Sequence, residues 1–353
     1  MVSTTTFSLS RMGARFILRP LAPTSTSKIN TPSVRYYAAS SSSTSSSGSD
    51  SPIKVLTHPA PHNGHIKILL LDRPASRNAL SRRLITDLRS QISRIQSEHE
   101  AAASRQSASR SSTAAADPTR ALILASSNDK AFCAGADLVE RRGMTAEETR
   151  TFLSDMRSTF AALSSLPIPT VSAVSSVALG GGLEIALCTT FRVFATTAVV
   201  GQPETKLGII PGAGGTYRLP ALVGPNRARD LILTGRRVSG EEAYFLGLCN
   251  RLVQVEPRED ATTSSSTATT TTTTQEGESG LARKMVLDAS LDLARQICEG
   301  GPIAVTQAMR AIDGWTRGEA SENEAYEVVL ATEDRLEALK AFGEKRKPVF
   351  KGR

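Results

Sequence analysis

Ala178–Glu184 reads A-L-G-G-G-L-E, and Gly201–Glu204 reads G-Q-P-E. The apolar run Thr170–Leu179 reads as one buried strand that leads straight into the triple glycine. A helix is expected to open near Gly182, with Glu184 in its first turn. This strand–turn–helix order belongs to α/β architecture. Glycines at the turn let a ligand approach the backbone closely, and the first N–H groups of a helix have no internal partner. A third segment, F-C-A-G-A-D (Phe132–Asp137), follows a short apolar run and offers a second set of backbone donors. Each feature alone has a plainer reading: a packing turn, an acid that complements a helix dipole, or a surface acid after a proline. Together, two carboxylates and two donor turns are the parts needed to add water across a polarised double bond.

The surrounding chain alternates strands and helices, then becomes helical. Ile53–Thr57 and His65–Asp72 read as strands, Ser81 opens a helix reaching about Glu98, and Ala121–Ala125 is a short buried strand. Glu147–Leu166 is helical, Phe191–Ala195 and Val199–Gly201 are strands, and Gly214–Val223 and Asn226–Leu233 are helices. Residues 99–118 read as a low-complexity surface loop, and 257–280 as a Thr/Ser-rich insert too polar to order itself. Helices follow at about Leu281–Glu299, Ile303–Asp313 and Ala320–Lys345.

Residues 1–49 contain no Asp or Glu but carry Arg11, Arg15, Arg19, Lys28 and Arg35 among many Ser and Thr. That is the composition of a mitochondrial transit peptide, assigned to 1–37 with cleavage after Tyr37, followed by a Ser-rich linker over 38–51. The leader also accounts for most of the +8 charge of the 353-residue chain. The rest carries an ordinary +3, so the basic balance does not imply a nucleic-acid partner. Four scattered cysteines show no metal-ligand spacing, and no apolar run reaches the length of a membrane span. The expectation is a soluble matrix protein with no metal, a core over 52–256 and a helical region over 281–353.

Five stretches carry a resemblance. They are L-D-R-P-A-S-R-N-A-L (Leu71–Leu80), A-F-C-A-G-A-D-L (Ala131–Leu138), A-L-G-G-G-L-E-I-A (Ala178–Ala186), G-Q-P-E-T-K-L-G-I-I-P-G-A-G-G-T-Y-R-L (Gly201–Leu219) and A-F-G-E-K-R-K-P-V-F-K-G (Ala341–Gly352). With them the chain resembles the crotonase (enoyl-CoA hydratase/isomerase) family from about Lys54 to Arg353, the inserts apart. The resemblance implies an α/β spiral of ββα repeats with a C-terminal helical trimerisation region, acting on acyl-CoA thioesters. It makes the N–H groups of Ala136 and Gly181 the oxyanion hole and Glu184 and Glu204 the catalytic pair. One glutamate acts mainly as base; in the hydratases the other, here Glu204, delivers a proton to the α-carbon. It places Asn78, Ala79, Ala134, Asp137, Leu138, Phe342 and Lys345 at coenzyme A, the last two reaching a neighbouring subunit's ligand. No cofactor is implied beyond the coenzyme A of the substrate, and the partner is another copy of the chain, as a trimer or a dimer of trimers.

Within the family, A-G-A-D-L-V-E-R (Ala134–Arg141), E-T-K-L-G-I-I-P (Glu204–Pro211) and the tail Thr332–Pro348 are most similar to the mitochondrial 3-methylglutaconyl-CoA hydratases of leucine breakdown. A short-chain enoyl-CoA hydratase of fatty-acid oxidation is the alternative. An RNA-binding reading through Arg82, Arg83, Arg89 and Arg94 competes from another class, against the plainer one of a solvated helix face. Val139, Ser175, Ser176, Thr190 and Tyr217 depart from the residues usual in the family. Val139 stands where many members place a lysine near the coenzyme A phosphates, a role open to Arg141 or Arg142.

Overall fold

The computed structural model describes residues 51–107, 118–255 and 273–353, with the side chains of 103, 105–107 and 273–279 left aside. The transit peptide, nearly all of the linker, residues 108–117 of the first insert and 257–272 of the second lie outside these residues. The described strands are β1 (Ile53–Pro59), β2 (His65–Leu71), β3 (Thr119–Ser126), β4 (Ala131–Cys133), β5 (Thr170–Val174), β6 (Val177–Leu179), β7 (Phe191–Ala195), β8 (Val199–Gly201), β9 (Arg237–Ser239) and β10 (Arg251–Val253). The helices are α1 (Arg82–Ser107), α2 (Leu138–Arg142), α3 (Ala146–Ser164), α4 (Gly181–Ala186), α5 (Gly215–Val223), α6 (Pro225–Thr234), α7 (Gly240–Leu246), α8 (Thr273–Cys298), α9 (Pro302–Asp313), α10 (Glu319–Leu330) and α11 (Glu333–Gly343).

The strands form two sheets, one ordered β1-β2-β3-β5-β7-β10 and the other β4-β6-β8-β9. The first is parallel except for the β1–β2 hairpin; in the second, β9 runs antiparallel to β8. Successive strands therefore step from one sheet to the other: β3 to β4, β5 to β6, β7 to β8. A helix follows each pair, so the chain winds as a spiral of ββα turns, the expected fold. Thr170–Leu179, read as one strand, is two, because the chain bends at Ser175–Ser176 and changes sheet. Thr197 Oγ1 donates to Ser175 O at 3.0 Å and Val199 N–H to Ser176 O at 3.4 Å, which hold the bend. Alternation in sequence is the same for one straight strand and two bent ones.

The large sheet is buried on both faces, which is why β3 is apolar from Ala121 to Ala125. One face meets a core in which Leu84, Leu88, Ile92 and Ile95 of α1 are fully buried with Leu69, Leu71, Leu122 and Phe160. The other carries Ile66, Ile68, Ile123, Val171 and Val193 under Ala282, Val286 and Ala294 of α8. Ser81 starts α1 by accepting the Leu84 N–H at 3.2 Å.

Three segments are more helical, or more interrupted, than expected. α1 continues to Ser107, through nine residues read as loop, because His99–Ser104 is rich in alanine, the strongest helix former. α8 begins at Thr273, inside the segment read as disordered, because the packed helix beyond it propagates backwards. Ala320–Lys345 is two helices: Thr332 ends one by donating to Val329 O at 2.8 Å and caps the next by accepting the Arg335 N–H at 3.2 Å. No helix among the described residues is long and apolar enough to cross a membrane.

Candidate active site

The site is assembled where three loops meet at the ends of β4, β6 and β8. The first pairing is between Arg77–Leu80 and Ala134–Asp137. Ala134 N–H donates to Arg77 O at 3.0 Å, Leu80 N–H to Gly135 O at 2.8 Å and Asp137 N–H to Leu80 O at 3.2 Å. Ala136 N–H has no partner among the described residues. Asn78 makes this pairing possible: its Oδ1 accepts Arg73 N–H at 2.8 Å, and its Nδ2 donates to Ser126 Oγ at 2.9 Å and Phe132 O at 3.0 Å. Asn78 is fully buried and frames the loop. Ala134 and Asp137 are half-buried, Leu138 is exposed and Ala79 is nearly buried. Asp137 is held by Arg73 at 3.1 Å and caps α2 by accepting Glu140 N–H at 3.2 Å.

The triple glycine forms the floor. A Cβ on Gly182 would lie 2.0 Å from Cys133 O, and one on Gly180, where φ is +53°, would lie 2.8 Å from Glu204 Oε1. Neither position admits a side chain. A Cβ on Gly181 would lie 3.9 Å from both Ala136 N and Glu184 Oε2. That one point places the two donor segments and the first carboxylate together. Gly181 heads α4, and its N–H, like that of Ala136, has no protein acceptor among the described residues.

Glu184 is 1% exposed and Glu204 is 8% exposed. Glu184 Oε1 accepts the N–H groups of Ala213 and Gly215, each at 2.8 Å, at the start of α5, and Oε2 remains for chemistry. Burial raises the Glu184 pKa above the ordinary carboxylate value, opposed by these two N–H groups and then by the charges of Arg157 and Arg218. Glu204 opens a short 3-10 turn. Burial, with a smaller contribution from the Glu184 charge, pushes its pKa up to about 7. Gln202, fully buried, lies with its amide nitrogen 3.0 Å from both Glu204 oxygens in the orientation that satisfies both groups.

The structure thus brings Ala136, Gly181, Glu184 and Glu204 together, and it adds residues the sequence reading missed. Gln202 is one. Ala213 and Gly215 are the others, and their signal was present: Gly212–Gly215 is a second glycine-rich turn into a helix. Phe342 is 86% exposed at the end of α11, with Lys345 exposed beyond it. No hydrogen bond or ion pair joins either to the site among the described residues.

The departures now have places. Thr190 and Thr170 exchange bonds, each side-chain hydroxyl accepting the other's N–H, at 3.2 and 2.8 Å. Tyr217 is exposed beside the Arg218 guanidinium, 5.0 Å from its ring centroid. Val139 is 85% exposed, next to Arg141 and Arg142. A cavity of about 500 Å³ beside Arg120 and Arg310 lies away from both glutamates.

Comparisons with known proteins agree with this geometry. Residues 112–272 match the enoyl-CoA hydratase/isomerase family. An enoyl-CoA isomerase/hydratase of Zymoseptoria tritici is 50% identical over 98% of this chain and all of the relative. The mitochondrial methylglutaconyl-CoA hydratase 1 of Pyricularia oryzae is 52% identical over 91% of this chain and 90% of the relative. Among solved structures, enoyl-CoA hydratase from Bacillus anthracis is 36% identical, with a TM-score of 0.68 over 86% of this chain and all of that one. The chain therefore belongs to the enoyl-CoA hydratase/isomerase (crotonase) family and is an enzyme of the enoyl-CoA hydratase type.

Proposed function

We propose that this enzyme adds water across the α,β double bond of an enoyl-CoA thioester. We further propose that its substrate is 3-methylglutaconyl-CoA, converted to 3-hydroxy-3-methylglutaryl-CoA in leucine breakdown in the mitochondrial matrix. The observation that carries the reaction is the pair of buried carboxylates beside two backbone N–H groups that have no partner among the described residues. The thioester oxygen sits between the N–H groups of Ala136 and Gly181, which makes the β-carbon electrophilic. Glu184, its Oε1 held, takes a proton from water through Oε2 as the water oxygen bonds to the β-carbon. The electron pair of the double bond moves toward the thioester oxygen. Glu204, with a pKa of about 7, is half-protonated near neutrality and delivers its proton to the α-carbon as the charge returns. Proton exchange between the two carboxyls resets the pair.

The substrate assignment is supported by the Pyricularia relative, and the location by the mitochondrial names of that relative and of the mouse methylglutaconyl-CoA hydratase, 35% identical over 84% of this chain and 82% of the relative. The Zymoseptoria relative has the broader name enoyl-CoA isomerase/hydratase, and a short-chain enoyl-CoA is the competing substrate. An isomerase needs only one carboxylate to shuttle a proton, so the second buried glutamate favours hydration. No cofactor is required beyond the coenzyme A of the substrate. Its binding is proposed to use Ala79, Ala134, Asp137 and Leu138, with Phe342 and Lys345 from another copy in a trimer or a dimer of trimers. The RNA-binding reading loses support at Arg82, paired with Glu148 at 3.3 Å, and at Arg89, paired with Asp155 at 3.6 Å.

The test is hydration by purified protein of 3-methylglutaconyl-CoA and of crotonyl-CoA, followed by loss of enoyl-thioester absorbance. Higher kcat/KM on the former supports the leucine substrate. Turnover of crotonyl-CoA alone removes it, and turnover of neither removes hydration.

A further inference from the structure

The acyl group proposed above ends in a carboxylate two bonds beyond the β-carbon that water attacks. Bound at this site, it brings a further negative charge beside Glu184 and Glu204. Without a cation nearby, that charge is repelled and pushes the proton affinity of both glutamates still higher. The site must therefore supply a cation, and the sequence alone does not identify it.

Four cations of the described residues lie on, or are bonded to, the segments that build the site. Arg73 is held by Asp137 at 3.1 Å. Lys206 packs its stem against Gly235, 3.2 Å from where a Cβ there would be. Arg218 donates to Ser164 Oγ at 3.2 Å, and its Nε is buried against the Gly214 turn. Arg157 differs from the two arginines in its free donors, and from Lys206 in offering a planar fork where a lysine offers a point charge. It projects from α3, is exposed, and donates Nε to Gly212 O at 2.6 Å. The N–H of the same peptide, that of Ala213, holds Glu184, so Arg157 and Glu184 grip one peptide unit from its two opposite sides. Neither Nη of Arg157 has a partner among the described residues, which leaves a two-pronged donor of the shape that accepts a carboxylate. Among charged groups acting on Glu184, Arg157 is also the first in lowering its proton affinity.

We infer that Arg157 determines specificity by receiving the distal carboxylate of a dicarboxylic acyl chain on its two Nη groups while Nε anchors it to the Gly212 carbonyl. This inference rests on the hydratase reading above. It couples recognition to catalysis: the same guanidinium fastens the loop that clamps Glu184 and holds the end of the acyl chain. A chain lacking the carboxylate leaves the fork in water and gains nothing from it.

The test compares kcat/KM on 3-methylglutaconyl-CoA with that on crotonyl-CoA for the wild type, Arg157→Gln and Arg157→Lys. Both substrates lose activity in the variants because the loop is loosened, so the readout is the ratio between them. The ratio falls roughly 100-fold in Arg157→Gln, most of it through KM for the dicarboxylic substrate. Arg157→Lys keeps the charge without the fork and recovers part of the loss. If Arg157→Gln does not fold, Arg157→Lys alone decides, with an expected fall of about tenfold. A ratio within about threefold of wild type in a folded variant overturns the inference and leaves the hydratase reading standing. A wild type that hydrates crotonyl-CoA but not 3-methylglutaconyl-CoA overturns the substrate assignment, and this inference falls with it.

Discussion

At the residue scale, the site holds two glutamates whose pKa values are both raised by burial, against different partners. Glu184 is buried more completely, yet it accepts two backbone N–H groups and feels two arginines; Glu204 has one amide, Gln202, and the Glu184 charge against it. Glu184→Gln and Glu204→Gln are each expected to lose about 10²–10⁴-fold in kcat while folding normally, measured by hydration rate and circular dichroism. Normal hydration by both variants would sink the mechanism. The raised pKa of Glu204 also has a sign for stability. Its folded value of about 7 exceeds that of an ordinary glutamate, 4.5, so the folded chain binds this proton more tightly than the unfolded chain. Stability associated with Glu204 is present below the unfolded value and is lost as pH rises through 7, with a limit of about 3 kcal/mol. Glu204→Gln is therefore expected to melt several degrees above wild type at pH 8, with the gap closing toward pH 4.5. A gap that widens on acidification would contradict the assignment.

At the scale of elements, the helix after Ser81 shows what was legible and what was not. Its apolar face, Leu84, Leu88, Ile92 and Ile95, recurs at helical spacing in the sequence and is fully buried in the structure. Leu88→Ala is expected to cost about 2–5 kcal/mol, read from denaturant unfolding of the intact protein. A cost under about 1 kcal/mol would mean that α1 is not part of the main core. The length of the same helix was not legible, because an alanine-rich segment has no apolar face to count. The bend at Ser175–Ser176 was hidden for another reason. Both halves of Thr170–Leu179 are apolar, and only their different sheet partners separate them.

At the scale of the whole molecule, a single chain leaves part of the proposed ligand site unformed. Phe342, Leu336 and Leu339 are exposed on α11, and Ile312 and Trp315 are exposed around α9. Such apolar surface on a C-terminal helical region suits burial between copies. Light scattering is expected to give three or six copies, and the double variant Phe342→Ala, Lys345→Ala is expected to raise KM about tenfold with little change in kcat, since it removes binding but touches no reacting atom. A monomer in solution, or a KM that does not move, would separate this tail from the ligand.

The motifs alone determined the kind of fold and singled out the glutamates proposed to act, because glycine turns and acids at helix starts are local in the chain. They did not determine that Asn78 is a buried brace, that Gln202 steadies Glu204, or that a second glycine turn at Gly212–Gly215 clamps Glu184. Those roles depend on contacts between residues far apart in sequence, which exist only once β4, β6 and β8 stand side by side. Proton affinity belongs to the same class: both glutamates are acids in the sequence, and burial raises the pKa of each, opposed at Glu184 by the N–H groups of Gly215 and Ala213.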